Sequence, residues 1–291
     1  MLSVGRRRLL STEGFVFGQV ADKALDMTRV RVGQKLDVPY ELTISTGFRD
    51  IWHSTFYQHD RVYTSDSYAR SLGFDQALLP FSMLLSITGS MTHVDDRLEV
   101  LDLGFRNAVY RRPAYPGDTF YKTFYISGIR ETSESQNSIV TVHCDLSDAN
   151  TSETVFSVDK IMMYPIQRRQ NTYAAGEPSH THFNSQVKDQ IVSNYSYMST
   201  SSTLSGLTPG QLLLHGMCRP MGRSTAMELA TLLRWTHPLL YNLKRYDFDE
   251  LVVAGGLVLA SAHACSARYN EKLSFWSDTR LEVFTKFCLK N

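Results

Sequence analysis

The feature that most constrains this chain is the stretch from residue 57 to 91, YQHDRVYTSDSYARSLGFDQALLPFSMLLSITGSM. It reads as a polar loop, a short helix around Ser67 to Leu72, a break at Gly73, a brief apolar segment, and a helix opened by Pro80 and Ser82. In that last helix Met83, Leu84, Ile87 and Met91 recur at helical spacing, while Ser86, Thr88, Gly89 and Ser90 keep the other face small. A helix with an apolar side and a small side is suited to burial, so the segments around it are expected to cover it.

Those segments read as strands more often than as helices. KLDVPYELTIS is strand-like, and an amphipathic helix follows from about Gly47 to Phe56, its apolar side made by Trp52, Thr55 and Phe56. Beyond the buried helix, Tyr115-Pro116-Gly117-Asp118-Thr119 is a turn leading into an aromatic-rich strand. From Ser138 to Leu146, Val140, Val142, Cys144 and Leu146 alternate with polar neighbours, and Thr154 to Tyr164 is a further strand candidate.

Composition bounds the function classes. The 291 residues are 43% hydrophobic and 20% charged, enough for two packed units. No apolar run reaches membrane-spanning length. A net charge of +1 gives no global field to recruit nucleic acid or anionic lipid, which leaves docking inside a larger assembly open. Cys144, Cys218, Cys265 and Cys288 are widely spaced and form no CxxC pair, so they read as buried reduced thiols. His180 and His182 lack a third ligand at useful spacing, so no metal is expected, and no cofactor. Residues 1–12, with Arg6, Arg7 and Arg8 and no acid before Glu13, read as a mitochondrial matrix-targeting segment; the alternative is an ordinary basic start.

The layout resembles the MaoC-type acyl-CoA hydratases, a hotdog-fold family in which an antiparallel sheet wraps a central helix. In that family an Asp-x-Asn-Pro-x-His loop precedes a His-Gly pair at the start of the buried helix. The Asp and His hold and deprotonate a water for addition to an unsaturated thioester, and a backbone N–H at the helix start polarises the thioester carbonyl. Laid on this chain, the Asp falls on Gln58, the Asn on Asp60, the Pro on Arg61, the His on Tyr63, and the His-Gly pair on Phe81 and Ser82. The frame is kept without its acid-base groups. Asp66-Ser67-Tyr68-Ala69-Arg70-Ser71-Leu72-Gly73, Leu103-Gly104-Phe105 and the 115–119 turn are similar to the two-repeat mesaconyl-CoA hydratases in particular.

The second half repeats the first faintly. Gly210-Gln211 answers Gly33-Gln34, the helix 225–233 answers 48–56 at the same offset, and the segment 251–257 answers 77–83 after a short loss in the loop. The fold expected is therefore α+β, a double hotdog of two antiparallel sheets each wrapping a helix. Residues 13–166 form the first repeat, 167–206 a polar linker and 207–291 the second repeat, trimmed at its C-terminal side, with Leu273, Phe275 and Trp276 or another chain covering the exposed helix. In the second motif loop, one register puts Trp235 at the family Asp and Leu240 at the His. A register shifted by one puts Tyr241 at the His and Asn242 after it. Leu257 stands where the mesaconyl type has a His, and Gly255 and Gly256 keep a helix start able to offer N–H groups to a thioester carbonyl. The sequence Leu214-His215-Gly216-Met217 imitates the family signature in a strand position, ahead of Pro220, and reads as coincidence.

Three functions are compatible with this. One is a catalytically inactive hydratase-like subunit of a larger mitochondrial complex, with the mitochondrial ribosome or its assembly intermediates as a candidate home. Its partners would be other mitochondrial proteins, with RNA met only indirectly, and its 15 Tyr, 15 Phe and 3 Trp suit protein interfaces. The second is an active hydratase or dehydratase of an acyl-CoA or acyl-carrier-protein thioester. There Asp60 or His59 takes the water, or His237 acts as base with Tyr241 or Asn242 orienting it. The third is a non-catalytic module that still binds an acyl-CoA ligand.

Overall fold

The computed structural model describes residues 30–90, 101–132, 137–165, 186, 221–235, 240 and 252–267. The first half opens with β1 (Lys35–Thr43), α1 (Thr46–Phe56), α2 (Arg61–Thr64), α3 (Asp66–Ser71) and α4 (Phe81–Gly89). Four long strands follow: β2 (Leu101–Tyr110), β3 (Thr119–Glu131), β4 (Asn137–Asp148) and β5 (Thr154–Pro165). They form one antiparallel sheet in the order β1-β3-β4-β5-β2. In the second half the described helices are α5 (Arg223–Leu232) and α6 (Gly255–Ala267).

Strand alternation builds the concave side. On β3 the inward row is Phe120, Lys122, Phe124 and Ile126; on β4 it is Val140, Val142, Cys144 and Leu146. Phe156, Val158, Lys160, Met162 and Tyr164 continue it on β5. The sheet closes around α4, all nine of whose residues are buried. The small face of α4 is what lets neighbours come so close. A methyl group at Gly89 would collide with the Phe105 ring of β2, and one at Gly256 on α6 would lie 2.8 Å from the Ser86 hydroxyl.

Local chemistry fixes the ends of these elements. Ser45 caps α1 by accepting from the Phe48 N–H at 3.1 Å, and Tyr57 ends it in the left-handed region at φ 54°. The buried side of α1 is Phe48, Trp52 and Phe56; Thr55 lies half-buried at the rim, because Phe48, one turn before Trp52, takes the core position. In the 115–119 turn Gly117 has φ 103° and Asp118 accepts from the Tyr115 N–H at 2.8 Å, which delivers Thr119 into β3. The loop expected from Tyr57 is partly helical. Asp60 caps the single turn α2, its carbonyl accepting from the N–H groups of Tyr63 and Thr64 at 3.0 and 3.1 Å.

The expected helices at 67–72, 80–91, 225–233 and from Gly255 all form, with ends shifted by one or two residues wherever both ends are described. The targeting segment, the linker apart from Gln186, the second sheet and the C-terminal trimming fall outside the described residues.

Candidate functional site

The stretch 58–82 brings the motif positions together at the mouth of α4. Its approach is held by backbone bonds: the Leu78 N–H donates to Val62 O at 3.0 Å and the Leu79 N–H to Ala114 O at 2.8 Å. The Tyr110 hydroxyl also lies 3.2 Å from Leu79 O. Pro80 then supplies the extended residue from which α4 starts.

Gln58, Asp60 and Tyr63 are 7%, 1% and 0% exposed. The Gln58 side-chain amide donates to the Asp60 carboxylate. Tyr63 lies with its phenol oxygen at the Phe81 N–H, the first amide of α4, and burial raises its pKa well above the ordinary phenol value. The hydroxyl of Ser82, the next residue, lies 3.4 Å from the Trp52 indole Nε1. Thus a phenol takes the helix-start amide, and an amide takes the carboxylate. His59 points the other way: it is exposed, its ring set edge-on to Tyr57 at 4.3 Å.

The second-half positions are equally enclosed. Trp235, Leu240 and Leu257 are 5%, 6% and 0% exposed. Phe81 touches both halves, meeting Phe156 of β5 at 5.2 Å and stacking on His263 of α6 at 5.9 Å. At the start of α6, a methyl at Gly255 would touch the Asp102 carboxylate of β2 at 3.6 Å, so that N-terminus already faces an internal carboxylate. Lys160 Nζ lies 3.5 Å from the same carboxylate and 5.0 Å from the Trp235 ring centroid. Burial raises the Asp102 carboxyl; Lys160 and the Gly104 N–H act to lower it.

The charged interior was not foreseen from sequence. Lys122 and Lys160, 7% and 0% exposed, flank Cys144 beneath α4. The thiol stays protonated, because burial pushes its pKa up. Lys122 donates to the carbonyls of Ile87 and Ser90 at the C-terminus of α4, a partner a buried ammonium suits. The signal was available: both lysines sit in phase with the apolar residues of their strands.

A second cluster lies on the opposite face of the sheet. His143 Nδ1 lies 2.6 Å from Asp159 and Nε2 3.4 Å from Asp145, while Asn107 donates to Asp159 at 2.7 Å. Burial opposes the charge on His143, but the two carboxylates raise its pKa to about 9. Among the described residues no group of three His, Cys, Asp or Glu could hold a metal, and no helix is long and apolar enough to cross a membrane. His237, Tyr241 and Asn242 fall outside the described residues.

A sheet wrapped on a buried helix, packed through that helix on a second one, defines the class as a double hotdog. In sequence and in fold the chain is similar to the MaoC-type hydratases and dehydratases. Mesaconyl-CoA hydratase of Cereibacter sphaeroides is 26% identical over 113 residues, 38% of this chain and 33% of that protein. β-Methylmalyl-CoA dehydratase of Chloroflexus aurantiacus is 26% identical over 114 residues, 39% of this chain and 32% of that protein. The matches thus span about a third of the length of these curated relatives. No protein-family profile matches the chain. Among solved structures, a MaoC domain protein dehydratase from Chloroflexus aurantiacus superposes with a TM-score of 0.73 at 17% identity, covering 90% of this chain and 78% of its own. A Mycobacterium tuberculosis protein described as a double hotdog gives 0.58 at 16% identity, covering 86% and 78%. These structures speak for the fold alone.

Proposed function

We propose that this chain is a hydratase-like protein that performs no hydration and serves as a structural or assembly subunit of a larger mitochondrial complex. The observation that carries the first part is the closure of the motif loop. Addition of water to a thioester conjugated alkene needs a base open to that water and a free N–H at the carbonyl oxygen. Here the Asp60 carboxylate is buried against Gln58, and the Phe81 N–H faces the Tyr63 phenol.

The second part rests on sequence: a basic, acid-free leader, and an aromatic content suited to interfaces. A ribonucleoprotein such as the mitochondrial ribosome is the home we favour, with contact to RNA made through neighbouring proteins. The competing reading is a hydratase acting on an acyl-CoA thioester like the relatives' names indicate, working from His237, Tyr241 and Asn242; the intact Gly255-Gly256 helix start favours it. That helix start would equally serve a module that binds acyl-CoA without turning it over.

Sedimentation of the endogenous protein from gently lysed mitochondria, with and without ribonuclease, tests the assembly role. Migration in a heavy particle that ribonuclease disperses is the expected result. A light species of monomer or dimer size would overturn it.

A further inference from the structure

Both α4 and α6 start without a side-chain cap. Pro80 ahead of α4 and Ala254 ahead of α6 have no side-chain oxygen to accept from the first turn. Ala254 is the cap position of α6, since its carbonyl accepts from the Leu257 N–H at 2.9 Å and from the Val258 N–H at 3.4 Å. At α4 the Tyr63 phenol stands at the first amide. The first turn of α6 holds no acidic residue, yet a carboxylate is present there. It belongs to Asp102 of β2, whose Oδ2 would lie 3.6 Å from a methyl group at Gly255.

Asp102 lies opposite Met162 of β5, a wholly buried residue, so its side chain is turned to the inside of the sheet. Its Oδ2 lies 3.5 Å from Nζ of Lys160, which has no exposed surface, and its Oδ1 is buried without a hydrogen-bond partner among the described residues. The Lys160 ammonium lies 5.0 Å from the ring centroid of Trp235. An ion pair from two neighbouring strands of the first half thus meets the second half at two points, the Trp235 ring and the start of α6. A buried ammonium and an uncapped helix start side by side both attract a carboxylate, one through its charge and the other through its N–H ends.

We propose that Lys160 and the start of α6 form a carboxylate site which the chain fills with its own Asp102, closing the second helix start from within as Tyr63 closes the first. The inference rests on the reading that this chain performs no hydration. It extends that reading to Gly255 and Gly256, on which the competing reading depends. Asp102 acts through its charge on the helix end, and Lys160 holds it in place. A thioester oxygen is neutral, so it competes poorly with a carboxylate for an ammonium and a helix end.

Chemical rescue of the full chain tests the site. Asp102→Ala removes the carboxylate and leaves Lys160 at the helix start, so the denaturation midpoint should fall. Sodium formate should then restore about half of that loss or more, saturably, whereas sodium chloride of equal ionic strength should not. The same addition should shift the amide resonances of Gly255 and Gly256 in the variant and leave them in place in the wild type. When Lys160→Met accompanies Asp102→Ala, formate should have no effect. Absence of rescue, equal rescue by chloride, or rescue without movement of the two glycine amides would overturn the proposal. Asp102→Asn keeps the shape and removes the charge, and serves if Asp102→Ala does not fold. It should move the Gly255 and Gly256 amides and leave that of Ala264, near the far end of α6, in place; unmoved glycine amides would again overturn the proposal. The reading of inactivity is judged separately, by turnover of 2-enoyl-CoA thioesters in the wild type. Failed rescue without turnover defeats the Asp102 site alone, and turnover with rescue intact defeats inactivity alone.

Discussion

Replacing Gly256 by Ala should destabilise the chain through one residue of the other repeat. The added methyl would lie 2.8 Å from Ser86 Oγ and 3.3 Å from both Ser86 Cα and Cβ. The hydroxyl cannot swing aside freely, since it donates to Ser82 O at 2.8 Å, and the Ser86 backbone cannot give way alone, since it lies in the middle of a fully buried helix. The two helices must therefore separate by about half an ångström in a close-packed interior. Such overpacking costs about 1–3 kcal/mol. Alanine returns less than about 1 kcal/mol of helix propensity, and little of that in a first turn. The net loss is about 1–2 kcal/mol, read as a lower denaturation midpoint at unchanged m-value. Ser86→Ala removes the nearest atom and leaves the two carbons at 3.3 Å in place. In that background Gly256→Ala should cost about 1 kcal/mol less, a coupling that a double-mutant cycle resolves. Additive effects within about 0.3 kcal/mol, or a stabilised Gly256→Ala, would refute the packing of α4 on α6.

Three further outcomes are expected. Tyr63→Phe removes the oxygen facing the Phe81 N–H and should cost about 1–3 kcal/mol of stability in chemical denaturation; an unchanged midpoint would mean that the amide has other means of satisfaction. His143 has a folded pKa of about 9 against 6.5 unfolded, so its stabilisation is complete below pH 6.5 and lost as pH rises to 9. The loss is at most about 3 kcal/mol, and His143→Gln should abolish that part of the pH profile, which a retained slope would contradict. Asp60→Asn should leave any measured hydration rate within about two-fold, whereas a loss of about a hundredfold would restore the loop to catalysis.

The buried helix was legible because its small residues cluster on one side of an apolar repeat, a pattern with no use on a surface. The strands were legible for a similar reason: Val140, Val142, Cys144 and Leu146 alternate without interruption. α2 was not, since four residues make too few internal bonds to leave a periodic trace and the turn is held by Asp60 and by the Leu78 bond. Gln58, Asp60, Tyr63, Phe81 and Ser82 read from sequence as substituted motif positions, yet their mutual bonding is tertiary and appears only when residues 58–63 meet the start of α4. Lys122 and Lys160 are hard to read as interior residues, because a lysine in a strand ordinarily faces water. Their phase with Phe120 and Phe124, and with Val158 and Met162, was the one clue to a charged interior.

The closed motif loop is expected to leave this hydratase-like fold without hydration activity. The most direct measurement is the hydration of a set of 2-enoyl-CoA thioesters, mesaconyl-CoA among them, by the purified full chain. The expected result is no turnover above the uncatalysed rate. Saturable turnover that His237→Ala abolishes would contradict the claim and place the working base in the second repeat.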